Sequence, residues 1–373
     1  MRLAILTAAL LILPATSAQA ADLVVEGHGW GHGVGLSQYG AYGYALREGR
    51  DHRFILAHYY TGSGYGTAPS ARMGVRLKRA RAPRIAGATR AKAANGRRIR
   101  LSETHVYSFR ARSTGKIDVM RNGRRRARLL APVTVSGRAN TTLRGTADNG
   151  LANGLYRGRM VLSRDGRAVL VVNSVGIEQY LYGVVPSEMP ASWPAEALKA
   201  QAVVARSYAL RSRRPGFPYD VFSDTRSQVY RGVLAETDAT NAAVRDTKAG
   251  VVTAGGQIAQ TFFFSTSGGR TANNEEAFGG TPISYLRSVD DPYDDLSPYH
   301  DWTARFSARD ARRKLRSVTL GRLKGLKVAS RTASGRAATV IVRGSDGNQT
   351  VSAATIRDLL SLRSTWIART SGP

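Results

Sequence analysis

The chain changes its hydrophobic pattern along its length, from short alternating segments to longer helical periods. Between residues 73 and 173, alternating apolar and polar positions are interrupted by Asn-Gly, Asp-Gly and single Gly residues, which predicts strands joined by tight turns. Asn122-Gly123 is typical of a two-residue hairpin turn. Strands are predicted at residues 97–101, 105–110, 116–120, 127–135, 159–163 and 168–173.

The longest predicted helix runs from about Pro194 to Arg213. Ser192 is expected to cap its open N–H groups, and Pro194 fits the first turn because its missing donor costs nothing there. Apolar residues recur at helical spacing, at Leu198, Ala202, Ala205 and Ala209. Three of these four residues are alanines, so we expect this face to pack closely against a sheet.

The remaining pattern mixes helices and strands. Further helices are predicted at 44–47, 54–60, 177–185 (a short helix or turn ending at Pro186), 240–248, 308–316 and 353–360. Further strands are predicted at 22–26, 251–258 as a hairpin, 260–265, 325–331 and 339–343. The sequence therefore predicts an α+β fold, in which a mixed, sheet-rich domain at 171–373 with a few helices accompanies a β-rich basic region at 70–170.

Residues 1–20 have the pattern of a secretory signal peptide. Arg2 is followed by an apolar run from Leu3 to Leu13, and Ala18-Gln19-Ala20 is a small-x-small cleavage site. The run is too short to span a bilayer, no later stretch approaches 18 apolar residues, and no twin-Arg pair precedes it. We expect Sec-type export and a mature protein, from residue 21, that is secreted or held at the cell wall without a membrane span.

Composition narrows the choice of partner. The 373 residues include 55 Lys and Arg against 26 Asp and Glu, a formal net charge of +29, and no Cys. The absence of Cys excludes disulfide scaffolds, Cys-ligated zinc, iron–sulfur clusters and thiol catalysis. The charge predicts a polyanionic partner. With export expected and nucleic-acid motifs absent, the anionic cell wall is favoured over nucleic acid.

Glu188 is the first candidate for chemistry. It lies in Val-Pro-Ser-Glu-Met-Pro, interpreted as a loop braced by two prolines and followed by Trp193. A carboxyl group among these apolar residues would have a raised pKa and could act as a general acid. The alternative is a structural Glu near a helix N-terminus, where the helix dipole favours its charge.

The second candidate is the Gly-rich segment within residues 21–66, which begins at Gly27 and has Gly at alternate positions up to Gly35. His28 and His32 would share one side of an extended chain, but no third ligand is apparent, so no metal is predicted. The phosphate-binding patterns are incomplete, and no cofactor is predicted. Hydrogen bonding or stacking on a sugar is the better interpretation, with candidates Trp30, His32, Gln38 and Tyr39.

Two other polar segments are considered as functional sites, and for both a structural role is favoured. The segment from Ser265 to Gly269 lacks the nucleophile-elbow pattern, so its hydroxyl groups are interpreted as turn contacts. The acidic cluster Asp290, Asp291, Asp294 and Asp295 lacks the EF-hand spacing and is interpreted as a surface cluster rather than a Ca²⁺ site.

Several motifs together resemble the stage II sporulation protein D (SpoIID) and amidase-enhancer (LytB) family of cell-wall proteins. They are Glu178-Gln-Tyr-Leu-Tyr-Gly-Val-Val-Pro-Ser-Glu-Met-Pro, the run Trp193-Pro-Ala-Glu-Ala-Leu-Lys-Ala-Gln-Ala-Val-Val-Ala-Arg-Ser-Tyr-Ala, Ser223-Asp-Thr, Gln228-Val-Tyr, Ser265-Thr-Ser-Gly-Gly-Arg-Thr, Tyr285-Leu-Arg-Ser-Val, the tail from Ile356, Gly31-His-Gly-Val-Gly-Leu-Ser-Gln-Tyr-Gly-Ala, and Ile55-Leu-Ala-His-Tyr-Tyr. In the sporulation proteins the Gly-His-Gly-Val-Gly segment comes near the C-terminus, so its position here resembles a circular permutation. Residues 21–66 are then expected to pack on the 171–373 domain.

The resemblance implies a lytic transglycosylase that cuts peptidoglycan glycan strands, preferably denuded ones, with Glu188 as the catalytic acid. It implies sugar or lactyl-carboxylate contacts from matching motif positions, at His32, Gln38, Gln201, Arg206 and Ser267. A second acid stays open among the carboxyl groups near the motifs, at Glu178, Asp224, Glu275 and Glu276. The alternative function is a non-catalytic wall-binding protein that stimulates a separate N-acetylmuramoyl-L-alanine amidase as its partner.

Overall fold

The computed structural model describes residues 21–372, so the predicted signal peptide lies outside the described residues. Of the described residues, 25% are in helices and 36% in strands, which confirms the α+β class. The described chain forms two compact units, a larger one from His28 to Asp301 and a smaller one that joins the residues up to Gly27 with those from Trp302 onward. The expected boundary at residue 171 falls inside a strand, Ala168–Gly176, of the larger unit.

The β-rich part of the larger unit consists of two sheets. Their strands are β4 (Arg72–Ala80), β5 (Arg84–Ala86), β6 (Arg90–Lys92), β7 (Arg98–Arg100), β8 (Tyr107–Ala111), β9 (Lys116–Arg121), β10 (Arg124–Leu130), β11 (Val133–Ser136), β12 (Thr141–Arg144), β13 (Leu155–Tyr156), β14 (Arg159–Asp165), β15 (Ala168–Gly176) and β16 (Val221–Phe222). The six-stranded sheet has the order β10-β9-β8-β5-β12-β13, and the seven-stranded sheet has the order β16-β4-β15-β14-β11-β6-β7.

In this region the structure confirms the predicted hairpin turn and corrects one predicted strand. Asn122 and Gly123 both have positive φ, at 48° and 76°, and join β9 to β10 as the predicted hairpin turn. The predicted strand at 127–135 is wrong in extent, because it is two strands that belong to different sheets. Pro132 lies between them and cannot donate to a strand ladder, which gives the chain a place to leave one sheet and enter the other.

The helices of the larger unit, with short strands beside them, complete its fold. Helices are α1 (Gln38–Arg47), α2 (His52–Tyr59), α3 (Ile177–Glu188), α4 (Ala195–Arg211), α5 (Asp238–Asp246) and α6 (Asn274–Phe278), with short 3₁₀ turns at Gly232–Ala235 and Asp294–Leu296. The short strands are β2 (Leu36–Ser37) paired with β19 (Phe263–Phe264), and β3 (Gly64–Thr67), β17 (Gly250–Ala254) and β18 (Gln257–Ile258) in one sheet.

Helix α4 lies between two hydrophobic clusters, which explains its small side chains. Ala202, Ala205 and Ala209 belong to the cluster that contains the β-rich core and α3, whereas Leu198 and Val203 belong to a cluster shared with the Gly-rich segment. The predicted cap at Ser192 is wrong. The residue before the helix is Pro194, and no side chain caps it, because the backbone enters the helix directly after this proline.

The smaller unit has its own core. Its elements are β1 (Leu23–His28), β20 (Asp301–Phe306), α7 (Ala308–Leu315), a 3₁₀ turn at Arg316–Val318, β21 (Leu323–Arg331), β22 (Ala337–Gly344), β23 (Gly347–Ser352), α8 (Ala353–Leu360) and β24 (Ile367–Ser371). The strands form two three-stranded sheets, β20-β1-β24 and β21-β22-β23. Helix α8 confirms the predicted helix at both ends, and Ser352 caps it by accepting from the Thr355 amide.

Candidate functional site

A cleft of about 280 Å³ opens in the larger unit where α3 ends. Its lining combines one carboxyl group, one imidazole and several aromatic rings. The lining residues are His32, Glu188, Tyr208, Thr225, Arg226, Ser227, Val229, Phe262, Phe263 and Phe278. Among these described residues only Glu188 carries a carboxyl group, so the cleft presents one acid beside aromatic surface.

Glu188 is the last residue of helix α3, not part of a loop as predicted. The helix continues past Pro186 because the proline removes only one amide donor, and the Met189 amide still donates to the Val185 carbonyl at 2.9 Å. The structural alternative of a helix N-terminus is also wrong. Glu188 lies at the C-terminal end, where the helix dipole disfavours a negative charge.

The environment of Glu188 favours its protonated form. Burial raises the pKa of this carboxyl to about 7, although the Val229 amide and the Arg231 charge both act to lower it. The Val229 N–H donates to Oε1 at 2.8 Å and fixes one carboxylate oxygen. A carboxyl group with a pKa near neutrality can donate a proton and take one back, as acid–base catalysis requires.

Gln38 connects the Gly-rich segment to the end of α3. Its Nε2 donates to the backbone carbonyl of Glu188 at 3.2 Å and to Oε1 of Gln201 at 3.4 Å. Gln38 is 8% exposed and Gln201 is fully buried, so neither lines the cleft. The structure therefore places these two predicted sugar contacts behind Glu188, where they position the helix end.

His32 shares the cleft with Glu188. Its ring packs among aromatic side chains, with centroid distances of 5.4 Å to Phe264 and 5.1 Å to Phe278. Its Nδ1 accepts from the Val34 amide at 3.0 Å, so Nε2 carries the hydrogen of the neutral ring. Of the five predicted binding residues, His32 is the one that lines this cleft.

Arg206 does not lie at the cleft and is a structural residue. It is fully buried, and its guanidinium donates to both carboxylate oxygens of Glu178, at 3.0 and 2.7 Å. It also donates to the backbone carbonyls of Val244 and Gly250. This arginine therefore joins α3, α4, α5 and β17 from inside.

Ser267 is also buried away from the cleft. Its hydroxyl donates to Oδ2 of Asp294 at 2.9 Å and accepts from the Gly269 amide, and the Gly268 amide donates to the same Asp294 oxygen. Its contacts in this turn match the structural interpretation of the Ser265 segment rather than a sugar contact.

The prediction that the acidic cluster lies on the surface is wrong, because Asp291 and Asp294 are fully buried. The Tyr59 hydroxyl donates to Asp291 at 2.7 Å, and His300 lies 2.8 Å from Asp294. Burial, together with the neighbouring charge of Asp294, raises the pKa of Asp291 to about 7. Within residues 21–372, no group of three or more His, Asp and Glu side chains is arranged to hold a metal ion.

Asp291→Asn is expected to flatten the pH dependence of stability. The folded state holds a proton on Asp291 that the unfolded chain releases near its ordinary pKa of 3.8, so the free energy of unfolding falls as pH rises from about 4 to about 7. Urea unfolding at several pH values measures this slope. The exposed Asp290→Asn is the control, and an unchanged slope in Asp291→Asn would refute the assignment.

The four carboxyl groups that are candidates for a second acid bind other side chains outside the cleft. Glu178 pairs with Arg206, Asp224 with Arg226, and Glu275 with Arg287. The Glu276 carboxylate accepts a hydrogen bond from the side-chain Nδ2 of Asn273 at 2.8 Å. None of the four lines the cleft that contains Glu188.

Several residues that line the cleft are not among the sequence predictions. They include Tyr208, Val229 and Phe278, of which Tyr208 and Val229 lie inside the motifs that carry the family resemblance. Residues 260–265 are predicted as a buried strand, but the strand covers only Phe263–Phe264, and Phe262 and Phe263 both line the cleft. These two neighbours are partly exposed and Phe264 is buried, so the two-residue alternation of a strand does not identify this face.

No helix in the described part of the chain combines the length and apolar character needed to cross a membrane.

Comparison with known proteins finds a family-model match in the region around α3. The model of the family described as "Stage II sporulation protein" matches residues 165–253, which include Glu188 but not the Gly-rich segment. Stage II sporulation protein D of Bacillus subtilis is 33% identical over 210 residues, 52% of this chain and 60% of that protein. The amidase enhancer of Bacillus subtilis is 35% identical over 139 residues, 37% of this chain and 18% of that protein.

An uncharacterised protein of Brachyspira hyodysenteriae is 36% identical over 148 residues, 39% of this chain and 40% of that protein. The chain thus spans 60% or less of the length of these relatives. The circular permutation stays a prediction. Residues 165–253 thus match the stage II sporulation protein family model, and the chain is similar over part of its length to stage II sporulation protein D and to the amidase enhancer.

Proposed function

We propose that the protein is a lytic transglycosylase that cleaves peptidoglycan glycan strands and leaves 1,6-anhydro-N-acetylmuramic acid ends. The observation that carries the proposal is Glu188, the one carboxyl group lining its cleft, with a pKa raised to about 7. The similarity to stage II sporulation protein D supports a cell-wall substrate. The aromatic lining and the imidazole of His32 suit a sugar, which presents apolar ring faces and hydroxyl groups.

The reaction needs one acid–base group. The Glu188 carboxyl donates its proton to the oxygen leaving from C1 of N-acetylmuramic acid, and the C1–oxygen bond breaks. The 6-hydroxyl of the same sugar attacks C1, and its proton passes to the Glu188 carboxylate. Because the nucleophile is intramolecular, no water needs a second carboxylate to activate it. Ordinary glycoside hydrolases use two carboxyl groups, whereas Glu188 is the one carboxyl group among the described residues that line this cleft.

The place of action in this proposal is outside the cytoplasmic membrane. Export through the predicted signal peptide at residues 1–20 would bring a protein of net charge +29 to the anionic cell wall. Long-range attraction would concentrate it there, and this attraction weakens as salt screens the charges.

A second candidate function rests on the amidase enhancer of Bacillus subtilis. In this case the protein binds the wall without cutting glycan and stimulates an N-acetylmuramoyl-L-alanine amidase. A raised pKa at Glu188 has no evident use in such a protein, so we favour the enzyme.

Product analysis separates the two functions. Residues 21–373 are incubated with denuded and with peptide-bearing glycan, and the fragments are measured by mass spectrometry. The transglycosylase predicts fragments one water lighter than hydrolysis products, and more of them from denuded strands. Intact glycan, together with faster release of stem peptides when a wall amidase is added, would favour the stimulating function.

The activity is expected to fall as pH rises through about 7. Glu188 must be protonated to act as the acid, and its raised pKa keeps it protonated up to about that value. The initial rate of fragment release, measured across pH with low substrate, gives the profile. A rate that stays constant or rises from pH 7 upward would contradict a protonated Glu188 as the catalytic form.

A further inference from the structure

A second cleft, of about 530 Å³, lies on the outer face of the seven-stranded sheet and is strongly cationic. Six exposed basic side chains line it, at Arg72, Arg90, Lys92, Arg98, Arg138 and Arg159. We call this surface the cationic cleft. None of its lining residues in the described chain is acidic or aromatic.

The register of the sheet brings like charges together in the cationic cleft. Lys92 lies directly opposite Arg98 on the neighbouring strand, and Arg90 lies opposite Arg100. Like charges in directly opposed positions destabilise a sheet. A bound anion would neutralise this repulsion between facing basic side chains, so a binding function would explain why these positions are basic.

The basic side chains of the cationic cleft form few ion pairs with carboxylates of the protein. Arg138 has a weak contact with Glu103, at 3.9 Å between exposed side chains. Arg72 donates to the hydroxyl and the backbone carbonyl of Ser174, which leaves its charge uncompensated. Within residues 21–372, the structure gives no ion pair for Arg90, Lys92, Arg98 or Arg159.

The charges form a row rather than a point. Five of the six lie on strands from β4 to β7, which are five strand spacings apart in the sheet order, or about 24 Å at the usual spacing, and Arg138 follows the end of β11. Thr134 and Ser136 on β11 lie between them and add hydroxyl donors. An elongated row of cations and hydroxyl groups matches a linear polymer with repeated anionic groups better than a single small anion.

We propose that the cationic cleft binds a linear phosphodiester polymer. Five of the six basic residues are arginines, whose planar guanidinium groups donate two parallel hydrogen bonds to a phosphate. A nucleic acid would also need aromatic side chains on which its bases can stack, and the cleft has none among its lining residues. The polymer is therefore one that presents phosphates without bases. This inference does not depend on catalysis by Glu188.

The test uses short poly(glycerol phosphate) as the probe and two triple variants with equal loss of charge. The cleft variant is Arg90→Gln, Arg98→Gln and Arg159→Gln. The control is Arg124→Gln, Arg125→Gln and Arg126→Gln, three exposed arginines of the β9–β10 hairpin in the same β-rich region. Affinity is measured by calorimetry at several salt concentrations, and thermal unfolding checks that both variants fold.

We expect the cleft variant to lose about 10- to 100-fold in affinity and the control to lose less than about threefold. The cleft variant should also show a shallower dependence of affinity on salt, because fewer counterions are released. Equal losses in the two folded variants would overturn the proposal, since they would mean diffuse attraction to the whole protein.

Two further probes of the same charge test the ligand class. A single-stranded oligonucleotide and a polyglutamate are expected to bind more weakly than poly(glycerol phosphate). Tighter binding of the oligonucleotide would replace the proposed ligand by a nucleic acid, and tighter binding of polyglutamate would replace it by a carboxylate polymer. A cleft variant that fails to fold is replaced by the single substitution Arg98→Gln, for which a smaller selective loss is expected.

Discussion

Glu188→Gln is expected to lower the rate of glycan cleavage by about 10²- to 10⁴-fold, the usual contribution of a positioned general acid–base group. Glutamine has the same shape as the protonated carboxyl but can neither give up nor accept a proton at the required step. Its side-chain oxygen can still accept from the Val229 amide, so the end of α3 should keep its position. Affinity for glycan should therefore stay close to that of the unchanged protein.

The control for this prediction is Glu276→Gln, which removes a carboxyl group near a family motif but outside the cleft. Its rate should stay within about threefold of the unchanged protein, since it makes no transition-state contact. A rate retained in Glu188→Gln would contradict its role as the acid. A comparable loss in Glu276→Gln would mean that a second carboxyl group takes part.

The second large effect is on stability, at Arg206. Arg206→Met is expected to lower the free energy of unfolding by about 3–5 kcal/mol, because it leaves the Glu178 carboxylate without its partner in a partly buried place. The substitution also leaves the carbonyls of Val244 and Gly250 without their donor. Urea unfolding followed by circular dichroism measures the loss.

Arg79→Met is the matched control. Arg79 pairs with Asp165 in the same unit, but both side chains are about half exposed, so we expect a loss of about 0–1 kcal/mol. Adding Glu178→Met to Arg206→Met should recover part of the larger loss, because no unpaired charge is then left. Equal losses for Arg206→Met and Arg79→Met would show that the buried pair has no special structural role.

Local signals in the sequence were sufficient for many elements. The Asn122-Gly123 turn and helix α8 are set by residues close in sequence, and both agree with the structure. The apolar neighbours of Glu188 in the sequence predict a raised pKa for its carboxyl group, and burial does raise this pKa. Its position at a helix end does not follow from the sequence, because Pro186 predicts the end of the helix, whereas in the structure it costs one hydrogen bond and the helix continues to Glu188.

Contacts distant in sequence could not be predicted in this way. Arg206 and Ser267 belong to conspicuous motifs, but their partners Glu178 and Asp294 lie 28 and 27 residues away. Only the fold shows that these polar side chains are satisfied internally. The same holds for Asp291, which its acidic neighbours suggested to be on the surface and which is buried against Tyr59.

The most direct test of the proposed chemistry asks whether water attacks the glycan. Denuded glycan is cleaved by residues 21–373 in water enriched in ¹⁸O, and the new ends are analysed by mass spectrometry. We expect unlabelled anhydro ends, because the 6-hydroxyl of the sugar supplies the attacking oxygen and Glu188 only moves the proton. New ends that carry ¹⁸O would contradict this and mean that the cleft hydrolyses the bond with a carboxylate not yet identified.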